Sequence, residues 1–419
     1  MNWRARWPQL TFAVFSTVML ANMQYGWTLF VNPMHDANNW SRASIQVAFT
    51  IMIFVNTWLS PVEGWFVDRY GPRFVVMAGA IFSAVSWVIN SKAESLATLY
   101  VSAVIGGLAI GCVFGTCMGT ALKWFPDKRG LAAGMIAAGY GFGAALTSAP
   151  LALMIRDSGY RHAFRFFGIF QGIAILAFAV LLVKPTTPQG AALARKRIYQ
   201  GAELTPSETL RTGVFWLLYL IYLLIAFGGM IVTAQLGPIA RDFGLESRTI
   251  LILGMSTPVL ALAVSIDNFA NGVTRPLSGW LSDVIGRENM MLLIFSLEAA
   301  ALLGMTIFGR NPYGFILFAA LIFLFWGEIF VVFPALSGDS FGIQYAAANN
   351  GLLYTAKGTA ALTVPLANLL MVATGSWASV LLAASVCSLA SGVLAKFVLV
   401  PMRKKLAAKS SPTTIPVCT

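Results

Sequence analysis

Long apolar segments occupy most of this 419-residue sequence, and they limit the possible folds more than any other feature. Hydrophobic residues make up 58% of the chain and charged residues only 11%, whereas a soluble domain carries about 25% charged residues. A helix needs about 20 apolar residues to cross a bilayer. Twelve such segments can be drawn, so we predict an all-α polytopic membrane protein with twelve transmembrane helices.

The predicted spans are too continuously hydrophobic for barrel strands, in which polar and apolar residues alternate over about ten residues. They lie at approximately 8–32, 43–67, 73–91, 96–123, 130–154, 163–183, 213–237, 251–281, 289–308, 312–338, 346–373 and 377–400.

Membrane topology explains the formal net charge of +12. With the amino terminus inside, the cytoplasmic loops and tails hold about 18 Lys and Arg residues and the outer loops about 8. This bias predicts that both termini are cytoplasmic, and we expect a bacterial inner (plasma) membrane. Anionic membrane lipids suit the basic groups at 195–197 and 403–405, and no nucleic-acid partner is expected.

The sequence has few of the residue patterns that an enzyme active site requires. Its two histidines, His35 and His162, both fall at predicted span ends, and its four cysteines have no zinc or disulfide spacing. No Ser/His/Asp set or phosphate-binding loop can be recognised. We therefore expect no catalytic activity, no metal and no cofactor.

The chain contains an internal repeat. Residues 61–71 read PVEGWFVDRYG and residues 276–286 read PLSGWLSDVIG, with five identities at a constant offset of 215 residues. Such a repeat is typical of secondary transporters whose binding site lies between two halves. The predicted division is an amino-terminal six-helix half at 1–184, a cytoplasmic linker at 185–212, a pseudo-symmetric second half at 213–402 and a cytoplasmic tail at 403–419.

The repeated segment carries a motif, G-x-x-x-D-R-x-G-x-R, that resembles the loop signature of the major facilitator superfamily. The resemblance implies the major facilitator fold. The aspartate can cap a neighbouring helix or pair with a basic residue across the cytoplasmic gap, and so act as a gate. The alternative is a tight polar turn that uses glycine for a positive φ. The candidate gating residues are Gly64, Asp68, Arg69, Gly71 and Arg73 in the first copy, and Gly279, Asp283, Gly286 and Arg287 in the second.

The fourth predicted span has glycines at four-residue intervals, namely Gly107, Gly111, Gly115 and Gly119. This spacing leaves one helix face without side chains, so that a neighbouring helix can approach closely. The glycines predict tight packing and say nothing about a ligand.

Two cations, Arg275 and Lys357, lie inside predicted spans. A charge at the bilayer centre costs at least about 2.5–3.5 kcal/mol, so each needs a reason to be there. Arg275 precedes the boundary residue Asp283 by about 12 Å of helix, and Lys357 lies some 16 Å into its span, which places both near the midplane. The repeat position of Arg275 in the first half is Ser60, so the charge belongs to one half alone.

Arginine and lysine at one depth suit a small anion with carboxylate groups. The alternative is that both cations pair with buried acids for structure alone, and Glu328 is the best placed partner. The acids predicted in spans are Glu63, Asp267, Glu298 and Glu328.

Amide and aromatic residues occur at depths that match the two cations. They would exclude water and support the cations through their ring faces. The candidate binding residues are Arg275, Lys357, Gln24, Tyr25, Phe114, Tyr140, Asn271, Trp326, Phe330 and Tyr354.

Several segments resemble the oxalate:formate antiporter family within the superfamily. They are MQYGWTLFVNP at 23–33, KWFPDKRGLAAG at 123–134, AAGYGFG at 137–143, NGVTRPLSGWLSD at 271–283, FWGEIFVVFP at 325–334 and NNGLLYTAKGTA at 349–360. The resemblance implies that Arg275 and Lys357 bind the carboxylates of a small anion, and that the other candidate binding residues wall the site.

The chain departs from this family at informative positions. Phe114 and Phe330 stand where the family has tyrosines, and Tyr354 stands where it has tryptophan. Asp267 and Glu328 introduce acids into spans that are uncharged in the family, and both are candidate proton sites. Asn271 stands where the related eukaryotic monocarboxylate transporters have an aspartate, which weakens the case for their proton mechanism.

The sequence therefore predicts a monomeric carrier that moves small carboxylate anions by alternating access. Exchange of the oxalate:formate type is the leading interpretation. The alternative is proton-coupled symport of a lactate- or pyruvate-like monocarboxylate, with Glu328 or Asp267 carrying the proton.

Overall fold

Twelve membrane spans form the structure, a computed structural model that describes residues 4–125, 129–184, 203–252, 255–342 and 345–410. The six spans of the first half are built from helices Arg6–Leu20, Asn22–Tyr25 and Thr28–Asn38 (first span), Arg42–Trp58 and Ser60–Tyr70 (second), Pro72–Ser91 (third), Leu96–Ile110, the π-helical turn Gly111–Gly115 and Thr116–Trp124 (fourth), Arg129–Ser158 (fifth) and Tyr160–Ala179 (sixth).

The second half repeats this arrangement. Its spans are Gly213–Asp242 (seventh), Val259–Ile285 (eighth), Arg287–Phe308 (ninth), Pro312–Trp326 with Ile329–Phe341 (tenth), Ala346–Ala361 with Thr363–Thr374 (eleventh), and Trp377–Val393 with the π-helical turn Leu394–Leu399 and Val400–Ser410 (twelfth).

Nine helical segments in the described part of the chain are long and apolar enough to cross a membrane. The first, second and eighth spans do not meet that measure. The first and eighth carry buried polar side chains, among them Gln24, Asn32 and Arg275, and the second is divided at Leu59 into helices of 17 and 11 residues. Polar side chains inside membrane spans commonly mark a functional site.

The two faces of the bundle differ. We call the face where the first span begins and the twelfth ends the linker face, and the opposite one the hairpin face. On the hairpin face, strands Thr249–Ile252 and Met255–Pro258 pair antiparallel. The eighth span therefore begins at Val259 rather than near residue 251, because β-branched residues favour the extended chain and Pro258 suits the residue before a helix.

Helix packing defines where the halves meet. Within the first half the third span packs on the fourth and sixth, and within the second half the ninth packs on the tenth and twelfth. Between the halves the fifth span packs on the eighth, and the second packs on the eleventh. The second, fifth, eighth and eleventh spans therefore border the space between the halves, and the eighth carries the buried cation Arg275.

Most of the predicted linker, residues 185–202, lies outside the described residues. Its end forms a short helix, Pro206–Leu210, in which Thr205 and Glu208 make a reciprocal capping box. The Leu204 N–H donates to the Phe341 carbonyl at 2.9 Å, and Asn349 donates to the Leu204 carbonyl at 3.0 Å. These bonds fix the end of the linker to the tenth and eleventh spans.

The glycine ladder of the fourth span is only partly a packing surface. A Cβ on Gly107 would lie 2.6 Å from the Met52 carbonyl oxygen and 2.7 Å from Val55 Cβ. A Cβ on Gly115 would meet no described atom within 4 Å. We expect Gly107→Ala to lower the stability by about 1–3 kcal/mol through overpacking, and Gly115→Ala to leave it unchanged.

Thermal unfolding of both variants, purified in detergent, would measure this difference. An equal loss of Tm in the two variants would contradict the contact between the second and fourth spans.

Candidate functional site

A narrow cavity of about 10 Å³, which is room for about one water molecule, lies between the halves. Side chains of the first, second, fourth and fifth spans line it on one side, and those of the eighth, tenth and eleventh spans on the other. The lining residues are Gln24, Tyr25, Asn56, Ile110, Phe114 and Tyr140 from the first half, and Arg275, Phe330, Tyr354 and Lys357 from the second.

Arg275 is 3% exposed and is held by neutral groups. Its guanidinium donates to the Ala137 carbonyl of the fifth span and to Asn271 Oδ1, both at 2.8 Å. Its guanidinium carbon lies 4.9 Å from the centre of the Phe330 ring. The bond to Ala137 joins the two halves at the depth of the cavity.

Lys357 is 2% exposed and is also held by neutral groups. Its ammonium donates to Gln24 Oε1 at 3.3 Å and to the Tyr354 hydroxyl at 3.2 Å. The ammonium nitrogen lies 5.2 Å from the centre of the Phe330 ring. One phenylalanine ring therefore contacts both cations, which adds cation–π support to each.

Neither cation forms an ion pair with a carboxylate among the residues that the structure describes. Glu328, the predicted partner, instead accepts a hydrogen bond from Ser278 on the eighth span. The other buried acids have no hydrogen-bond partner in the described structure, namely Glu63, Asp267 and Glu298. Among the described residues, therefore, the two cations do not form the purely structural pairs with buried acids that were the alternative.

Several hydrogen-bond donors at the cavity lack an acceptor within the described residues. They are Gln24 Nε2, the Tyr140 hydroxyl and Arg275 Nε. Unpaired buried donors are costly unless a ligand satisfies them. Donors and cations that converge on one cavity are the arrangement that an anion requires.

Aromatic rings form the walls of the cavity. In the first half, the Tyr140 ring lies 5.1 Å from Tyr25 and 4.9 Å from Phe114. In the second half, Phe330 lies 6.3 Å from Tyr354. Such walls restrict water, which strengthens ionic contacts inside them.

Eight of the ten predicted binding residues line the cavity, and two lie behind it. Asn271 holds Arg275, and Trp326 packs on Phe330 at 5.7 Å between ring centres. Sequence reasoning missed Asn56 and Ile110. The repeat could have found Asn56, because the offset of 215 residues pairs it with Asn271.

Interruptions in the helices place several of these side chains. The first span breaks at Ala21 and at Gly26–Trp27, which sets Gln24 and Tyr25 in a separate four-residue helix. The π-helical turn Gly111–Gly115 carries Phe114, and the tenth span breaks just before Phe330. Departures of this kind are frequent at functional sites because they turn a side chain away from its regular position.

The gating motif forms the same turn in both copies. Gly71 has φ +82° and Gly286 has φ +89°, a conformation that favours glycine. Arg73 is exposed. Arg287 donates to Ser282 and pairs with Asp339 of the tenth span at 3.5 Å. The side-chain positions of the remaining motif residues lie outside the described part of the structure: Gly64, Asp68, Arg69, Gly279 and Asp283.

The hairpin face is closed by ion pairs between the halves, which sequence reasoning did not identify. Arg241 of the seventh span pairs with Asp36 of the first at 2.6 Å, and Arg42 of the second span pairs with Asp242 of the seventh at 2.8 Å. We call these two pairs and the polar contacts beneath them the hairpin-face lock.

The polar contacts of the lock are buried. Gln46 donates to the Ala234 carbonyl at 2.5 Å and to Gln235 at 3.1 Å, and Thr50 donates to the Ala361 carbonyl at 2.7 Å. On the first span, polar residues recur every four positions from the cavity to the hairpin face, a pattern that the sequence does show: Gln24, Thr28, Asn32 and Asp36.

Comparisons with known proteins agree with this architecture. The family model of the Major Facilitator Superfamily matches residues 11–265 and 250–416. The crystal structure of the peptide transporter POT in complex with alafosfalin superposes with a TM-score of 0.70 at 14% identity, over 95% of each chain. The chain belongs to the Major Facilitator Superfamily and is a membrane transporter with the twelve-helix fold of that superfamily.

Within the superfamily, the chain is similar to the oxalate:formate antiporter of Oxalobacter formigenes, with 34% identity over 97% of this chain and 95% of the relative. It is also 28% identical to monocarboxylate transporter 11 of Mus musculus, over 59% of this chain and 53% of the relative. The family resemblance drawn from the sequence motifs is confirmed, and the bacterial relative supports a plasma membrane location.

The ion pairs of the lock lead to a prediction. Half-exposed pairs contribute about 0.2–1 kcal/mol each, so loss of one should shift the closed–open balance at the hairpin face by up to about fivefold. We expect Arg241→Gln to raise the rate at which a thiol reagent labels a cysteine introduced at the buried position Thr28.

Arg156→Gln is the matched control, because among the described residues Arg156 pairs with its neighbour Asp157 alone, within one half. A labelling rate that does not respond to Arg241→Gln, or responds equally to the control, would show that the pair does not hold the halves together.

Proposed function

We propose that this protein is a secondary active transporter of small carboxylate anions, most consistent with exchange of the oxalate:formate type. The observation that carries the proposal is the pair of buried cations, Arg275 and Lys357, at one cavity without a carboxylate partner among the described residues. The unpartnered donors of Gln24, Tyr140 and Arg275 complete an anion-binding surface. A carboxylate that spans both cations would join the second half to neutral donors of the first.

Exchange follows from the cost of moving the empty site. Desolvated charges without a counter-ion are expensive, so the empty carrier resists the rearrangement that closes water out of the cavity. A bound anion supplies the missing charge and lowers that barrier. The carrier then returns only when it is loaded, which couples one anion to another. Similarity to a protein named oxalate:formate antiporter supports this mode.

The proposed topology has both termini and the linker in the cytoplasm. The basic residues concentrate on the linker face, as the positive-inside bias requires. The hairpin-face lock is then the outer gate, and the repeated motif with Gly71 and Gly286 lies at the inner one. Alternating access would break one set of contacts while the other forms.

A second candidate function is proton-coupled symport of a monocarboxylate. The specific observation in its favour is Glu328, which is 2% exposed, bonded to Ser278 and close enough to Arg275 to interact with its charge. Asp267 is a further candidate proton site on the eighth span, fully buried and without a hydrogen-bond partner in the described structure. A proton on either acid would travel with a monoanion.

Substitution of the two buried cations tests the proposed anion site. We expect Arg275→Gln and Lys357→Gln each to lower uptake of labelled oxalate into oxalate- or formate-loaded liposomes by at least about tenfold, because hydrogen bonds to charged groups contribute about 1.5–3 kcal/mol. Arg310→Gln, a change to an exposed arginine at the end of the ninth span, should leave uptake unchanged. Wild-type uptake by folded Arg275 or Lys357 variants would rule out the assigned site.

Uptake measured with and without a pH gradient distinguishes anion exchange from proton-coupled symport. Exchange predicts rapid uptake only into liposomes preloaded with oxalate or formate, whether or not a gradient is imposed. Symport predicts gradient-driven uptake of labelled lactate into empty liposomes. We expect Glu328→Gln to spare exchange, and to abolish the gradient-driven uptake if symport is the mode. Exchange that is lost in Glu328→Gln while the protein stays folded would contradict a purely cationic site.

A further inference from the structure

Glu63 is a buried acid that the proposed anion site does not use. It lies on the helix Ser60–Tyr70 of the second span and is 7% exposed. Both carboxyl oxygens lack a hydrogen-bond partner among the described residues. The carboxyl group fills the space that a side chain on Gly111 would occupy, against the π-helical turn Gly111–Gly115 of the fourth span.

Glu328 occupies the corresponding contact of the second half. Each half has an acid between its second and fourth helices, the second and fourth spans in one case and the eighth and tenth in the other. Ser278, which bonds Glu328, lies 215 residues after Glu63, so the repeat places it at the equivalent position. The acid comes from the second helix in one half and from the fourth helix in the other.

Both acids sit where the fourth helix of their half departs from α-helical geometry. Glu63 packs on the first residue of the π-helical turn Gly111–Gly115. Glu328 is itself part of the break between Trp326 and Ile329.

Both acids contact or belong to helix segments that carry lining residues of the cavity. Gly111 falls between the lining residues Ile110 and Phe114, and Glu328 precedes the lining residue Phe330 by two positions. A change in either carboxyl group would therefore act on the helix segment that holds one phenylalanine of the wall.

A carboxylate without a partner is costly in this environment. Transfer of an ionised carboxyl group from water to a low-dielectric interior costs several kcal/mol even after relaxation, and a neutral carboxyl group avoids most of that cost. The surroundings of Glu63 in the described structure therefore suit the protonated form. Rearrangement of the second span against the fourth would expose the group to water and favour ionisation.

We propose that Glu63 binds and releases a proton during the transport cycle, as the first-half counterpart of Glu328. Each half then carries one proton-binding carboxyl group at a helix segment with lining residues of the cavity. A proton from water forms the O–H bond as the contact with Gly111 closes, and the same bond breaks, returning the proton to water, when the contact opens. The inference rests on the proposed transport function for the cycle, but proton binding itself needs no anion.

The elements packed against Glu63 carry few charged or titratable groups. These are Tyr70 of its own helix, Arg42 of the helix before it, Arg73 of the third span, Cys112 and Cys117 of the fourth, and Tyr354 and Lys357 of the eleventh. The side chains of Asp68, Arg69 and Lys123 lie outside the described part of the structure.

Infrared difference spectroscopy on the purified protein tests the proposal without any anion. The C=O stretch of protonated carboxyl groups is followed between about pH 5 and about pH 9, in wild type and in Glu63→Gln. We expect a component that disappears as the pH rises and that is missing from Glu63→Gln. In a separate measurement, sodium oxalate at constant pH should shift the same component, because the π-helical turn that contacts Glu63 also carries the lining residue Phe114.

Glu298→Gln is the matched control. Glu298 is also fully buried and without a partner in the described structure, but it packs beside Gly228 and Ser388, away from the cavity. Its loss should remove a component that responds neither to pH nor to oxalate. Glu63→Asp, which keeps the carboxyl group, should retain a titrating component with a changed midpoint, and it serves if Glu63→Gln does not fold.

Three results would overturn the proposal: no component missing from Glu63→Gln, a Glu63 component that stays constant across the pH range, or loss of the titrating component in Glu298→Gln. A failed proposal of anion transport would show itself separately, as absent uptake in liposomes despite a titrating Glu63.

Discussion

Two buried cations held by neutral groups are the constraint on which the site depends. Arg275 and Lys357 lie where charge interactions are strong because water is largely excluded. A carbonyl, two amide oxygens, a phenol and one phenylalanine ring support them, and no described carboxylate neutralises them. Neutral acceptors can orient cations without cancelling their charge. The site is therefore ordered without a ligand, and the anion of the proposed function would supply the missing negative charge.

The halves divide the chemistry unequally although they share a fold. The second half supplies both cations, and the first half supplies neutral donors and aromatic rings. An anion at the cavity would consequently draw the halves together, because neither half alone satisfies it. At the hairpin face, the hairpin-face lock holds the same two halves together through polar contacts that water can replace. Contacts that are individually weak suit a gate, since each opening must break all of them.

Irregular helices connect the site with the movement of the halves. Gln24, Tyr25, Phe114 and Phe330 are all placed by a break or a π-helical turn. Regular helices transmit motion as rigid rods, whereas an interrupted helix can change shape at one point. The acids at two of these points, Glu63 and Glu328, give the local shape a dependence on charge. Site and gate can then influence each other without a direct contact.

The sequence by itself determined the twelve spans, the two halves and most residues of the cavity. Hydrophobic length and the repeat are properties of the chain, and burial of Arg275 and Lys357 follows from the cost of charge in a membrane. Only the tertiary structure decided which side chains contact one another. Glu328 contacts Ser278 rather than a cation, Asn56 reaches the cavity while Asn271 stands behind it, and the lock joins spans that are distant in sequence. The spacing of residues along a helix gives the depth of a side chain in the membrane and the helix face on which it lies. The neighbour that this face contacts depends on packing between helices, and short-range sequence patterns do not encode that packing.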